Sequence, residues 1–506
     1  MQLNLKVQGA THCRFLRSIV RQLCDGDTSR PFQEMPGPRS LPVVGTLYKY
    51  LPVFGEYQFD RLHWNGAKKL AKYGAAVREE IVKGTSIVWL FDPNDIETLF
   101  RHGEGKHPQR LSHLALQHFR LTRPAIYNTG GLLPTNGPDW ARLRTTFQRA
   151  LSKPQSVQNY VPKSDEVAND FLRLIEKRAT AAPAENFLNE LSRVTLELIG
   201  LVTFDERMGG LSERSSPMCD KILEAAFTAN SCILGTDNGL RLWQKFKTPL
   251  YKKLEQALLQ LEKVAIEFVE KKAAGARDKA DGQPLSLLEQ YLASPDLDRK
   301  DVIGMMVDML LGGADTTTYS SSFALYHLAV NPDKQLRLQE EARSLLPTPE
   351  VGVTTQILSG AAYTKAVLKE SLRLNPVSVG VGRILQHDAV FSGFKVPKGT
   401  VIVTQNQVTC RQSRYFENPN EFLPERWIRG HALMQNVHPY LSLPFGHGPR
   451  ACIAKRLAEQ NIQILLLKIA REFHITWHGD GALDCKSLLI NKPDKPLRLQ
   501  FHKLKD

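Results

Sequence analysis

Apolar residues recur three or four positions apart along most of this chain. That spacing predicts amphipathic helices over 160–178, 186–203, 217–234 and 248–273. Residues 299–329 differ. Val302, Ile303, Met305, Met306, Val307, Met309, Leu310 and Leu311 make the segment apolar nearly all round, which predicts a buried helix. Further helices are expected at Ala362–Leu374 and behind residue 452, where Leu457, Ile462, Ile464, Leu465, Leu466, Ile469 and Phe473 recur. Strand character is confined to short pieces. Residues 76–82 and 86–91 read as two strands around Lys83-Gly84, and Asp92-Pro93 starts a helix. Residues 377–404 switch to strand character, with Val377, Val379 and Val381 alternating so that one face could line an apolar pocket. Residues 487–490 and 497–501 suggest a last hairpin. Three stretches lack periodicity: 274–284, a polar surface loop; 410–427; and 103–137, long enough to be a binding loop. The pattern predicts a mainly α chain with small β-sheets.

Composition adds limits. The chain has 506 residues, no linker and no internal repeat, so one large unit is expected over 35–506. Its seven cysteines form no CxxC pair, which argues against a zinc site or disulfide scaffold and for a reducing compartment. The net charge of +14 favours acidic partners or anionic membrane surfaces. No nucleic-acid motif accompanies it. The first 24 residues carry Lys6, Arg14, Arg17 and Arg21 and no acid, with Leu5, Phe15, Leu16, Ile19 and Val20 on one helical face. Residues 1–34 therefore read as a mitochondrial transit peptide, the alternative being a disordered basic tail. No apolar run is long enough to span a membrane.

One stretch carries chemistry of its own: Phe445-Gly446-His447-Gly448-Pro449-Arg450-Ala451-Cys452-Ile453-Ala454. A cysteine at the start of a helix sees backbone N–H groups and the positive end of the dipole, which favour a thiolate. Gly446 and Gly448 allow a tight turn and close approach to a flat ligand. Phe445 can lie across the sulfur, and Arg450 supplies a cation two residues before it. A lone cysteine usually means a small buried hydrophobe. Phe, Gly, Arg and Cys at fixed offsets mean more.

The pattern Phe-x-x-Gly-x-Arg-x-Cys resembles the haem-binding loop of the cytochrome P-450 superfamily. That resemblance implies the cytochrome P-450 fold. Haem b (iron protoporphyrin IX) would lie between the long central helix and the cysteine-loop helix, with Cys452 as thiolate ligand of the iron. The family usually has Gly where this chain has Ala454, a mild change in helix-to-haem packing. Trp140 and Arg144 share a helix face, and a guanidinium fork matches a carboxylate. The resemblance makes them, with Arg383, Phe445, His447 and Arg450, the residues that hold the haem.

Gly312-Gly313-Ala314-Asp315-Thr316-Thr317 interrupts the buried helix with poor helix formers and invites a local bulge. It resembles the family's oxygen-activation motif, which implies that Asp315 and Thr316 are catalytic and manage protons for O₂ cleavage. Glu370 and Arg373 are helix neighbours and resemble the family's Glu-x-x-Arg pair, with Arg426 as third member; the role implied is structural. Lys365 and Lys369 lie on a different stripe of that helix. In mitochondrial members lysines at these positions dock a ferredoxin, and Arg456 is a weaker candidate for the same surface. Val377, Val379, Val381 and Leu489 are the expected substrate pocket.

The missing anchor, the basic start and the lysine pair resemble the mitochondrial type. The stretches 133–138, 230–234, 374–383 and 489–493 resemble insect mitochondrial ecdysteroid 22-hydroxylases. This implies a haem-thiolate monooxygenase that hydroxylates a sterol-like substrate at C22 of an ecdysone precursor. Electrons would come from a ferredoxin and its reductase, at the matrix side of the inner membrane, peripherally bound. Two other readings stay open: a mitochondrial hydroxylase of xenobiotics or another sterol, and a haem-binding sensor or carrier.

Overall fold

The computed structural model describes residues 29–505 apart from 83, 180–184, 213–214, 239–240 and 276–284. The basic start (1–28), Lys83 and most of the polar stretch 274–284 lie outside the described residues. Residues 30–34 run along the body. Arg30 pairs its backbone with Phe394 and lays its guanidinium 3.8 Å over that ring.

Helices form at each segment where the apolar spacing placed one, and further helices form between them. They are α1 (Leu62–Tyr73), α2 (Pro93–Thr98), α3 (Leu114–Leu121), α4 (Gly137–Leu151), α5 (Val161–Ala179), α6 (Leu188–Thr203), α7 (Pro217–Asp237), α8 (Pro249–Gly275), α9 (Leu287–Leu292), α10 (Arg299–Val330), α11 (Pro332–Leu345), α12 (Ala362–Leu374) and α13 (Lys455–Glu472), besides a few single-turn pieces. Asp92, Ser216, Ser286 and Asp298 each cap a following helix by accepting a backbone N–H. α3 lies inside the stretch read as a loop. Its eight residues are too few for a clear period, and tertiary packing of Ala115, Leu116 and Phe119 stabilises it.

Four short strands, β1 (Ala76–Glu79), β2 (Ile87–Leu90), β3 (Gly382–Ile384) and β6 (Val401–Thr404), build one sheet in the order β1-β2-β6-β3. Only the β2/β6 pair is parallel. A two-stranded unit joins β4 (Ala389–Phe391) to β5 (Phe394–Val396). The C-terminal region differs from the single hairpin expected. β7 (Phe473–Trp477) pairs with β10 (Leu499–Lys503), while β8 (Cys485–Ser487) and β9 (Asn491–Pro493) make a separate hairpin. Leu489 forms its tip at φ 114°, backbone that a leucine holds only under tertiary constraint. Residues 377–381 form no strand. Val377 packs in the core between α12 and α13, and Val381 against the sheet core. The alternation expected of the three valines is absent because backbone pairs fix this segment individually: Val377 to Asn491, Val379 to Gln407, Val381 to Thr404.

α10 runs through the centre, packed by α6, α7, α8, α12 and α13. It is regular α-helix throughout, so the bulge expected at Gly312-Gly313 does not form. The Thr316 hydroxyl donates to the Gly312 carbonyl at 2.6 Å within an unbroken turn. Among the described residues no helix is long and apolar enough to cross a membrane.

Candidate active site

The middle of α10 is open on one side. Gly312 is exposed and Met309, Gly313 and Thr316 half-buried, while Leu310, Leu311, Ala314, Asp315 and Thr317 are buried. Positions 309, 312, 313 and 316 share a helix face, so one stripe of a buried helix borders a gap. The two glycines serve different ends. A Cβ on Gly312 would meet nothing within 4 Å, whereas one on Gly313 would lie 2.7 Å from Ile199 Cδ1.

The cysteine loop borders the same interior. Ile453, Ala454 and Leu457 belong to the apolar cluster that contains Met306, Leu310 and Ala314. Gly446 and Gly448 sit at φ 72° and 71°, where an L side chain is strained. The Cys452 N–H donates to the Phe445 carbonyl at 2.8 Å and closes the loop. Cys452 is accessible, but to this interior: burial pushes its thiol pKa up, against the Ala454 N–H, Arg144 and Lys455. Ala454 caps α13 at φ −99°, backbone open to any L residue, so its Cβ introduces no strain.

Arg450 does not serve Cys452 as the sequence suggested. Its guanidinium turns away, lies 4.1 Å over the Trp140 ring and donates to the carbonyls of Pro108 and Thr135 and to Asn136 Oδ1. Arg144 is the arginine whose charge reaches the thiol. The turn joins Arg450 to a cluster with Arg110, Arg144 and Arg383. Burial, then the charges of Arg110 and Arg383, pulls Arg450 down to about 8. Burial and Arg383 pull Arg110 down to about 10. Glu104, paired with Arg383, is the carboxylate inside this cluster; Asp308 acts on Arg110 from its own pair with Arg120. Arg450 Nη1 is buried with no acceptor. His447 packs at a tilt against the rings of Tyr440 and Phe100, and its carbonyl accepts from Arg383 at 3.2 Å. Phe445 packs toward the core of α12 and α13.

A profile of the family described as cytochrome P450 matches residues 35–501. The chain belongs to the cytochrome P450 family. It is 48% identical over 478 residues to cytochrome P450 302a1, mitochondrial, of Drosophila melanogaster, covering 94% of this chain and 96% of that one. Probable cytochrome P450 49a1 of the same fly is 32% identical over 99% of this chain and 88% of its own. Probable cytochrome P450 12b2, mitochondrial, is 30% identical over 83% and 80%.

P450 enzymes are oxidoreductases that use haem b as monooxygenases, so this chain is one. Its residues fit that group. A cluster of four guanidiniums with one internal carboxylate and an unpaired N–H suits two further carboxylates. A thiol and a stripe of small residues border the adjoining gap.

Asp315 is buried, and burial pushes its pKa up to about 7, against a hydrogen bond from Asn230 and the charge of Lys492. Glu370 is sealed: Arg373, Arg426, Trp427 Nε1 and the Leu423 N–H all donate to its carboxylate. Lys365 and Lys369 are exposed on the same helix, Lys369 lying 4.2 Å over Trp427. Arg456 is held by the Ser152 carbonyl at 2.9 Å. Leu489 packs against the apolar cluster of α10.

Glu104 and Arg110 were given no role from sequence, and Asn230 and Lys492 appeared only within the stretches 230–234 and 489–493. Glu104 and Arg110 lie in the stretch flagged as a binding loop, but no period separates them from their neighbours. Among the described residues one other cluster, His63, Asp484 and Cys485, has metal-ligand chemistry. Both Asp484 oxygens already take N–H donors, from Cys485, His63 and Trp64, and Arg61 lies 3.5 Å away, so it reads as a clamp between α1 and the hairpin.

Proposed function

We propose that this chain is a mitochondrial P450 that hydroxylates C22 of an ecdysone precursor, with electrons from a ferredoxin and its reductase. The observation that carries the mitochondrial part is 48% identity, over 94% of the chain, to a P450 whose name places it in mitochondria. The substrate rests on the likeness of 133–138, 230–234, 374–383 and 489–493 to ecdysteroid 22-hydroxylases.

Bound haem b supplies dioxygen activation and insertion of one oxygen atom into a C–H bond, the other leaving as water. The protein's part is positional. Cys452 would bind the haem iron through its sulfur as a thiolate. Trp140, Arg144, Arg383 and Arg450, with Arg110 added and His447 and Phe445 around the loop, would hold the haem and its carboxylates. Asp315 holds a proton at its carboxyl and Thr316 one at its hydroxyl, on the turn of α10 beside the gap. A carboxyl with a pKa of about 7 exchanges protons near neutrality. Leu489, packed against the apolar cluster of α10, excludes water from an apolar substrate. Glu370, Arg373 and Arg426 hold the scaffold. The exposed Lys365 and Lys369 offer an acidic ferredoxin a positive face. Exposed Val43, Val44, Leu51, Val53 and Phe54 form an apolar stretch suited to peripheral association with the inner membrane.

The test is reconstitution with ferredoxin and reductase, with ecdysteroid precursors supplied and products identified by mass spectrometry. A 22-hydroxylated product is expected; turnover of xenobiotics with none of any ecdysteroid overturns the assignment. The double substitution Lys365→Gln/Lys369→Gln should raise the KM for ferredoxin roughly ten-fold and flatten its salt dependence. Cys452→Ser should abolish the thiolate signature of the reduced, CO-bound spectrum.

A further inference from the structure

Asn230 sits on α7, far from Asp315 in sequence, yet its side chain touches the turn of α10 that carries the acid. Nδ2 donates to the Leu311 carbonyl at 2.8 Å and to Asp315 Oδ2 at 3.2 Å. A backbone carbonyl only accepts, so this contact fixes which end of the amide faces α10. Oδ2 therefore receives an N–H. The other carboxyl oxygen, Oδ1, is buried and has no hydrogen-bond partner. A protonated carboxyl has one O–H, and an oxygen that is accepting an amide N–H is the poorer place for it. The proton then resides on Oδ1.

We propose that Asn230 is a positioning residue for proton delivery: it holds Asp315 in one rotamer and confines its transferable proton to the unpartnered oxygen. The proposal rests on Asp315 acting as the proton donor, as read above. Without Asn230 the carboxyl can rotate, and its proton is shared between two oxygens. Asn230 also ties α7 to α10 at the Leu311 carbonyl, one residue before Gly312, so a displacement of α7 reaches the acid directly. The charged and titratable groups around Asp315 are Lys492 from β9 and Tyr319 from the next turn of α10, whose hydroxyl pKa burial and Asp315 together push up.

The experiment compares Asn230→Leu, Asp315→Asn and the double variant as haem-loaded full-length proteins. The first readout is infrared: the carboxylic C=O band missing from Asp315→Asn is the Asp315 band. In Asn230→Leu that band should move to higher frequency, because its oxygen loses a donor, and its titration midpoint should rise, because the lost hydrogen bond favoured the carboxylate. The second is coupling. Asn230→Leu should lose roughly ten-fold in product formed per electron pair, with peroxide released instead. The double variant should match Asp315→Asn alone, since Asn230 acts only through the acid. An unmoved band, or additive losses in the double variant, overturns the role of Asn230. Undiminished coupling in Asp315→Asn overturns the reading of Asp315 itself. If Asn230→Leu does not retain haem, Asn230→Ala carries the same comparisons.

Discussion

Two groups of buried arginines, one around Glu370 and one around Arg450 of the cysteine loop, are built in opposite ways. Around Glu370 every charge is answered. Arg373 gives its remaining N–H groups to the carbonyls of Cys410, Pro419 and Glu421, and Arg426 gives its own to Asn418 and Gln435. Around Arg450, four guanidiniums share one internal carboxylate, and one N–H has no acceptor. The first group is a finished structure. The second is an incomplete one whose missing charge is negative, a charge that haem carboxylates would supply. Burial alone does not separate scaffold from site. Electrostatic completion does.

Breaking the finished group should cost most. Glu370→Ala leaves two buried guanidiniums without their carboxylate, a loss of about 3–5 kcal/mol. The expected outcome is little soluble holoprotein and a sharply lowered denaturation midpoint. In the incomplete group the same kind of deletion should spare the fold. Arg450→Met relieves repulsion from Arg110 and Arg383 while losing its bonds to Pro108 and Asn136. Circular dichroism should remain native-like, while transfer of haem to an excess of acceptor apoprotein should speed up ten-fold or more, by about 1.4 kcal/mol or more. If Arg450→Met unfolds as completely as Glu370→Ala, the contrast is wrong.

Asp315 sharpens the comparison because it too is buried and underpaired, but it is an acid. Its folded pKa of about 7 lies above that of an exposed carboxyl, so the folded state binds the extra proton. Stability therefore falls as pH rises from about 4 to 7, and the full cost is present above that. Asp315→Asn should be more stable than the parent near pH 8, by up to a few kcal/mol, and equal to it near pH 4. A urea titration at each pH measures this. Thr316→Ala is the mildest change. It removes one hydroxyl bonded to its own helix, so stability should shift by less than about 1 kcal/mol while electrons divert to peroxide.

Much of this was legible in the chain. α10 and α13 announce themselves because burial on all sides, or along a long stripe, leaves apolar residues at helical spacing. The cysteine loop was legible because left-handed turns need glycine at 446 and 448. The glycines and threonines of α10 stood out as poor helix formers in a core helix, and Asp315 entered through the resemblance to the oxygen-activation motif. Other features were not. The valines at 377, 379 and 381 alternate in sequence but are held by separate backbone pairs, so their periodicity carried no strand. The C-terminal residues named as one hairpin belong to two separate pairings, because 499–501 take their partner from the strand behind α13, with the β8/β9 hairpin enclosed between them.

Local sequence, read with the family resemblance, determined which residues are candidates for the chemistry: Cys452 behind its glycine turn, Asp315-Thr316 in a buried helix, arginines beside a Trp. Helix period, turn conformation and side-chain type act within a few residues, so they can be read along the chain. Only the tertiary structure decided what each charge faces. It turned Arg450 from the thiol onto Trp140 and brought Glu104 and Arg110 out of an aperiodic loop. It also set Asn230 of a distant helix against one oxygen of Asp315. Those assignments depend on distances between segments far apart in the chain, and burial makes them strong.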